Sequence, residues 1–123
     1  MGEVAKRILI VEDEMLAAMS LAMDLRGAGY AVGRTVATGE EAVAAAQSET
    51  VDLILMDIGL AGGMDGVEAA ARIRAFSSVP IIYMTGYAER ANDPTVRDTR
   101  PHGFLVKPAS FSRLQALLDS LDP

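Results

Sequence analysis

The sequence predicts an α/β fold, a single three-layer domain with a five-stranded parallel sheet and helices on both faces. Short continuous apolar runs alternate with segments of helical periodicity, which is the pattern of repeated strand–helix units. Most of these runs are apolar throughout, as expected of strands that are covered on both faces. A length of 123 residues fits one compact domain, so we expect residues 1–123 to form one unit.

Five segments have the composition of strands. All but the second are rich in isoleucine, leucine, valine or methionine and end at polar or turn-forming residues. In chain order the predicted strands are 7–11, Ala31–Val36, Leu53–Met56, Ile81–Met84 and Phe104–Val106. A strand order of 2-1-3-4-5, which is common in open sheets of this kind, would place the first and third strands side by side.

Capping residues mark the starts of four helices. The predicted caps are Asp13 for a helix over 14–26, Thr38 (with Glu41 as a capping box) for one through Ser48, Asp65 for one over about Gly66 to Ala75, and Ser110 for the last. The inward faces should hold Val67, Ala70, Ala71 and Ile73 in the third helix and Leu114, Leu117, Leu118 and Leu121 in the last.

The segment 88–102 predicts only a short or displaced helix. Pro94 cannot lie inside a continuous helix, because proline lacks the N–H and its ring clashes with the preceding turn. Asp93 and Pro94 are, however, a favourable cap and first position for a new helix.

Composition excludes several classes of function. A net charge of −6 argues against direct nucleic-acid binding, and the absence of cysteine excludes disulfides, thiolate catalysis and cysteine metal sites. No apolar stretch approaches the roughly 18 residues of a membrane span, and the amino terminus lacks a signal-peptide core. We therefore expect a soluble, cytoplasmic protein with no membrane contact.

Polar side chains follow four of the predicted strands. Glu12 and Asp13 follow the first, Asp57 the third, Thr85 the fourth and Lys107 the fifth. Ligands of open parallel sheets bind at the carboxyl ends of the strands, so these groups should meet at one edge. Each residue alone has an ordinary explanation as a helix cap or a solvated strand end. Their coincidence at the same edge favours a functional site.

The predicted edge suits Mg²⁺. Magnesium takes about six oxygen ligands and usually only one or two carboxylates directly. Asp13 and Asp57 are the natural direct ligands, Glu12 fits a water-mediated role, and the backbone carbonyl of Gly59 could add another oxygen. Three carboxylates without a cation would repel one another, so the cluster itself predicts a metal.

Asp57 is also a candidate nucleophile. A carboxylate can attack a phosphoryl group to form an acyl phosphate. Lys107 and the metal would neutralise the developing charge, and Thr85 could hydrogen-bond a phosphoryl oxygen. His102, the only histidine, lies between proline and glycine, and we expect a surface loop residue without a role in the site.

Five motifs in order make the chain resemble the response-regulator receiver domains of two-component signalling over about residues 6–119. They are Ile8–Asp13 (ILIVED), Leu53–Ile58 (LILMDI), Met64–Glu68 (MDGVE), Thr85–Gly86 and Lys107–Pro108. The resemblance implies a flavodoxin-like (CheY-like) fold spanning 1–123. The chain departs from the common pattern at Ala61, where proline is frequent, at Ala109, where an aromatic residue is common, and over Asn92–Arg100.

The resemblance also implies a function. Asp57 would accept phosphate, with Mg²⁺ bound, from a histidine kinase or a histidine phosphotransfer protein. Thr85 would then move toward the phosphoryl group. Phe104 would be the switch aromatic, whose rearrangement changes the face formed by the fourth helix, the fifth strand and the fifth helix. The downstream target is not named by the sequence, and phosphorylation-dependent dimerisation is compatible with it. Such a domain is a signalling phosphoacceptor and not an enzyme that acts on a metabolite.

The first helix carries two apolar stripes about 200° apart, so only one can face the sheet squarely. They are Ala17, Leu21 and Leu25 on one side and Met15, Met19 and Met23 on the other. Methionine suits adaptable contact surfaces. We hypothesise that part of the methionine stripe, with Leu16, docks the phosphodonor; the alternative is that the last helix covers it.

Three rival functions fit less well. An aspartyl-phosphate phosphatase or phosphotransferase would resemble a pattern with a second aspartate two residues after Asp57, where this chain has Gly59. A non-phosphorylated interaction module would not need Asp13, Asp57 and Lys107 together. A flavin-binding domain needs a phosphate-binding loop after the first strand, and Glu12 with Asp13 would repel that ligand.

Overall fold

The computed structural model describes residues 5–121 and contains five strands and five α-helices among them. The strands are β1 (Arg7–Val11), β2 (Ala31–Val36), β3 (Leu53–Asp57), β4 (Ile81–Thr85) and β5 (Gly103–Val106). The helices are α1 (Met15–Gly27), α2 (Gly39–Ser48), α3 (Gly66–Arg74), α4 (Pro94–Asp98) and α5 (Phe111–Asp119), with a 3₁₀ turn at Ala88–Asn92.

The sheet is parallel throughout, and its order is β2-β1-β3-β4-β5. This confirms both the predicted α/β class and the strand order. The register pairs Val11 with Met56 and Asp57 with Met84, so the carboxyl ends of β1, β3 and β4 lie next to one another. The polar residues that follow these strands are thereby brought to one edge.

Two apolar layers cover the sheet. One contains buried residues of α2, α3 and α4 and includes Met56, Ile73 and Tyr83. The other contains buried residues of α1 and α5 packed on the opposite strand faces. Helices therefore cover both faces, as the continuous apolar runs predict.

The first helix begins one residue later than predicted. Its cap is Glu14, whose carboxylate accepts hydrogen bonds from the N–H groups of Leu16 and Ala17 at 3.3 and 2.8 Å. The prediction of Asp13 as the cap is wrong, because Asp13 is turned toward the loop after β3. An acceptor at Glu14 satisfies the helix start and leaves Asp13 free for other contacts.

The other helix starts are close to prediction. Thr38 accepts from the N–H of Glu41 at 3.1 Å, and Asp65 accepts from the N–H of Glu68 at 2.8 Å. Ser110 holds the cap position of α5 but makes no side-chain capping bond. Asp93 caps α4 with Pro94 in its first turn, which confirms a short fourth helix.

Two predicted helix faces need correction. In α3, Val67, Ala70 and Ile73 are buried as predicted. Ala71 is exposed, and Ala69 is buried instead. In α1 neither predicted stripe faces the sheet squarely, because the buried residues are Ala18, Ala22 and Leu25. Two small alanine side chains and Leu25 are buried, and the other large apolar residues of α1 lie on its flanks.

Four hydrogen bonds lie around α4. The guanidinium of Arg74 donates to the carbonyl of Thr99 at 2.7 Å and to the carbonyl of Val79. The hydroxyl of Thr99 donates to Val96, so it must accept from the buried Tyr83 hydroxyl at 2.6 Å. These bonds compensate for a helix of only five residues.

His102 contacts the last turn of α5. Its Nε2 lies 3.1 Å from the Leu117 carbonyl oxygen and 2.8 Å from the Ser120 hydroxyl. The side chain is thus half-buried against the end of α5.

Among residues 5–121, no helix is both long enough and apolar enough to cross a membrane.

Candidate functional site

Glu12, Asp13 and Asp57 form an acidic cluster at the carboxyl ends of β1 and β3. One carboxylate oxygen from each residue lies within 4.8 Å of the others. Glu12 and Asp57 are only 5% and 6% exposed, whereas Asp13 is exposed. The adjacent β1 and β3 strands bring together residues separated by more than forty positions in the sequence.

Lys107 contacts two members of this cluster. Its ammonium group lies 2.6 Å from a Glu12 oxygen and 3.1 Å from Asp57 Oδ2. The main-chain N–H of Lys107 also donates to the Thr85 carbonyl at 2.7 Å, which extends the β4–β5 pairing by one residue. The predicted convergence of Lys107 with the acids at one edge is therefore present in the structure.

The charged groups of the cluster are joined by hydrogen bonds from Lys107 to Glu12 and Asp57. Burial raises the pKa of Glu12 above its ordinary value, against the lowering effect of the hydrogen bond from Lys107. Burial acts to lower the pKa of Lys107, but its hydrogen bonds to Glu12 and Asp57 outweigh burial and leave that pKa raised. Lys107 thus stays protonated at neutral pH and offsets part of the acidic charge.

The loop after β3 supplies two main-chain donors to the acids. The N–H of Gly59 donates to Asp57 Oδ1 at 3.0 Å, and the N–H of Ala61 donates to Asp13 Oδ2 at 2.9 Å. Gly62 has φ of 98°, a left-handed conformation that glycine adopts without steric cost. Sequence reasoning missed the Ala61 contact, since a main-chain donor has no signature in the side-chain pattern.

Thr85 lies at the end of β4, beside the acidic cluster, and is 4% exposed. Its hydroxyl accepts from the N–H of Tyr87 at 3.3 Å, while the Tyr87 side chain extends into solvent. Phe104 is half-buried and packs on Tyr83, with ring centroids 6.4 Å apart. The sequence did not single out Tyr83, whose buried hydroxyl is the link from β4 to α4.

The donor set fits a hard divalent cation. All three clustered side chains are carboxylates, and oxygen is the ligand type that Mg²⁺ prefers. Burial raises the pKa of Glu12, and the neighbouring Asp57 raises it further. A divalent cation would favour the ionised acids, so the residues present fit the ion that the sequence predicts.

The response regulator receiver domain family matches residues 8–119, and the matched range includes all the residues of the cluster. The chain belongs to this family. It is therefore a receiver domain of the two-component response regulators, with their five-stranded fold. The match confirms the family to which the sequence motifs pointed.

Relatives of the chain include proteins named as transcriptional regulators. The chain is 38% identical to the transcriptional regulatory protein PdtaR of Mycobacterium tuberculosis, over 90% of this chain and 54% of that protein. It thus spans about half the length of this relative.

Two solved structures resemble the receiver domain closely. TrrA of Thermotoga maritima, in complex with Mg²⁺–BeF, has a TM-score of 0.87 at 31% identity, over 95% of this chain and 99% of that chain. The receiver domain of sensor histidine kinase PA1611 from Pseudomonas aeruginosa has a magnesium ion in its active site cleft. Its TM-score is 0.84 at 33% identity, over 95% of this chain and 97% of that chain.

Proposed function

We propose that residues 1–123 form one phosphoacceptor receiver domain that takes a phosphoryl group onto Asp57 in a Mg²⁺-dependent reaction. The observation that carries the proposal is the Lys107 ammonium, which lies against Glu12 and Asp57 beside a third carboxylate, Asp13. A buried nucleophile, a cation and a set of metal ligands at one point are what phosphoryl transfer to a carboxylate needs.

Asp13 and Asp57 would hold the metal directly, Glu12 through water and Gly59 through its carbonyl oxygen. Bound Mg²⁺ would neutralise charge on the phosphoryl oxygens during transfer. A carboxylate oxygen of Asp57 forms the new bond to phosphorus as the phosphorus–nitrogen bond of a phosphohistidine breaks, and the imidazole keeps that electron pair. Lys107 stays within reach of the Asp57 carboxylate and stabilises the added negative charge.

The switch would run from Thr85 to the α4–β5–α5 face. Thr85 is buried beside the site and would hydrogen-bond a phosphoryl oxygen, which would release its present bond from Tyr87. Phe104 of β5 packs on Tyr83, which lies two residues before Thr85 on β4. A shift of β4 would therefore displace Phe104. Through the hydrogen bond between Tyr83 and Thr99, it would also displace α4.

The domain would act as a signalling component in the cytoplasm, with a histidine kinase or histidine phosphotransfer protein as its donor. Its net charge of −6 disfavours direct nucleic-acid binding. It would take part in its own phosphorylation and dephosphorylation without acting on an external metabolite. Phosphorylation-dependent dimerisation and a protein target are compatible with the exposed switch face.

Incubation with Mg²⁺ and acetyl phosphate, followed by intact mass measurement, tests the proposal. We expect the wild type to gain one phosphoryl group, about 80 Da, whereas Asp57→Asn gains none because it lacks the nucleophile. Omission of Mg²⁺ should also prevent the gain. Phosphorylation of Asp57→Asn to the same extent as the wild type would disprove the assignment of the acceptor.

We further propose that the exposed apolar flank of α1 docks the phosphodonor. Met15, Leu16, Met19 and Met23 are between 52% and 73% exposed, which is unusual for large apolar side chains on one helix. The helix begins directly after the acidic cluster, so a partner on this flank would lie close to Asp57.

The alternative that α5 covers the methionines is wrong. The cleft between α1 and α5 is lined from α1 by Ala17, Leu21 and Asp24, which lie on the opposite flank. Met19 and Met23 instead border a shallow cavity of about 190 Å³ with Gly33 and Thr35 at the β2 edge. The methionine flank is therefore open.

Met19→Asp is expected to separate the two routes of phosphorylation. Acetyl phosphate needs no docking surface, so modification by it should stay close to the wild-type rate. Transfer from a phosphorylated histidine protein should fall by about tenfold or more, since a charge within an apolar contact costs at least about 1.4 kcal/mol. Equal transfer from the histidine donor to both proteins, with both folded, would count against docking at this flank.

A further inference from the structure

The Asp13 carboxylate is held by the loop that follows β3. Its Oδ2 accepts from the main-chain N–H of Ala61 at 2.9 Å, although the two residues are 48 positions apart. Asp13 itself is exposed, and two other carboxylates lie within 4.8 Å of it. Without a restraint, repulsion and side-chain freedom would both turn this carboxylate outward to solvent.

We propose that the main-chain N–H of Ala61 is a positioning group that presents Asp13 to the metal. The inference rests on the proposed function, since it assumes that Asp13 is a metal ligand. The bond engages Oδ2 and leaves Oδ1 free, so the carboxylate can bind a cation without breaking its contact to the loop. Donors of this kind orient metal ligands and are a known determinant of metal affinity.

The identity of residue 61 makes the contact available. Proline, which is frequent at this position in the family, has no N–H and could not donate. The neighbouring residues favour the loop conformation, because Leu60 is buried at 8% exposure and Gly62 adopts a left-handed φ of 98°. A chain with alanine at this position therefore gains a donor that the common sequence lacks.

The same loop also restrains Asp57. The N–H of Gly59 donates to Asp57 Oδ1 at 3.0 Å, two residues before the Ala61 contact. One short segment thus touches a carboxylate from the end of β1 and another from the end of β3. It fixes the spacing of the two proposed direct ligands before any cation arrives, which lowers the cost of assembling the site.

Replacement of single amides by esters tests the proposal. Lactic acid at position 61 removes the N–H and keeps the side chain, and glycolic acid at position 62 is the matched control. Within residues 5–121 the N–H of Gly62 makes no hydrogen bond, and an ester there leaves the Gly59 carbonyl unchanged. Mg²⁺ affinity is read from NMR titration of the backbone amides, without any phosphodonor.

We expect the ester at 61 to weaken Mg²⁺ binding by about tenfold. The ester at 62 should stay within about twofold of the wild type. Equal affinities for the two esters would overturn the positioning role while leaving the proposed phosphorylation intact. Absence of Mg²⁺ binding to the wild type would overturn the proposed function together with this inference.

Amide hydrogen exchange gives a second test that needs no ester. Asp13→Ala removes the acceptor, so the Ala61 amide should exchange about tenfold faster than in the wild type. The Gly59 amide, whose acceptor is Asp57, should exchange at its wild-type rate. Unchanged exchange at Ala61 would show that the contact with Asp13 does not restrain the loop in solution, and would overturn the inference.

Discussion

Replacing Gly66 with alanine is expected to destabilise the domain by about 3 kcal/mol and to impair the site. Gly66 lies in the first turn of α3, pressed against the end of β3. A Cβ atom there would overlap the Asp57 carbonyl oxygen and lie 3.0 Å from the Asp57 carbonyl carbon and the Ile58 Cα. These atoms belong to the backbone, so no side-chain rotation can relieve the overlap.

Gly63→Ala is the matched control for this prediction. A Cβ atom at Gly63 would meet no heavy atom within 4 Å, and its φ is not in the left-handed region. We expect its free energy of unfolding to stay within about 0.5 kcal/mol of the wild type. Urea denaturation of both variants measures the difference, and equal stabilities would show that β3 and α3 are not in the close contact described above.

Lys107→Met is expected to slow phosphorylation by acetyl phosphate by about 100-fold at saturating Mg²⁺. Methionine keeps an unbranched side chain but removes the ammonium that lies 3.1 Å from Asp57 Oδ2. The negative charge that develops on transfer would then be offset by the metal alone. The rate is read from the time course of intact mass, with Arg113→Met as a control that removes one exposed positive charge elsewhere.

The same variant should lose stability in a pH-dependent way. A raised pKa means that the folded Glu12 holds its proton more tightly than the unfolded chain does. The contribution of Glu12 to the free energy of unfolding is therefore full below its ordinary pKa of 4.5 and is lost as the pH rises. The pKa of Lys107 is also raised. Its contribution to stability is present throughout the neutral range and is lost only as the pH rises past the ordinary pKa of 10.5.

Without Lys107, the ionised Glu12 lacks the hydrogen bond that opposes the effect of burial on its pKa. The gap in unfolding free energy between wild type and Lys107→Met should thus be small at pH 4 and grow toward pH 7. Breaking a buried pair costs about 3–5 kcal/mol. Because the Lys107 side chain is 38% exposed, solvent screening reduces the expected gap to about 1–2 kcal/mol at pH 7.

Chemical denaturation of the metal-free proteins across this pH range measures the gap. Added Mg²⁺ should narrow it, since a cation among the carboxylates replaces part of the missing charge. A gap that is constant from pH 4 to pH 7 would mean that Lys107 does not stabilise the ionised acids.

Local patterns were enough to predict most elements of this chain. Continuous apolar runs gave the strands nearly to the residue, and the Asp93–Pro94 pair placed the short α4, because caps and prolines act on adjacent backbone groups. The choice between Asp13 and Glu14 as the cap of α1 was not local. Aspartate is the preferred cap by residue type, but the Asp13 carboxylate instead accepts from the N–H of Ala61, 48 residues away.

Local patterns also failed to predict which faces of α1 and α3 are buried. Periodicity located the apolar stripes of α1 but not its buried face, because Ala18 and Ala22 carry little hydrophobic signal and yet are buried. Likewise, Ala69 and Ala71 are the same residue type, and only the rotation of α3 on the sheet buries one and exposes the other.

The sequence by itself determined the fold class, the family and the residue types that gather at the sheet edge. Those depend on periodicity and on the order of the polar strand ends. Only the tertiary structure decided how the acids are held, with Lys107 between Glu12 and Asp57 and with main-chain donors on Asp13 and Asp57. Main-chain N–H groups are alike in every residue except proline, so their partners depend on where the folded backbone runs.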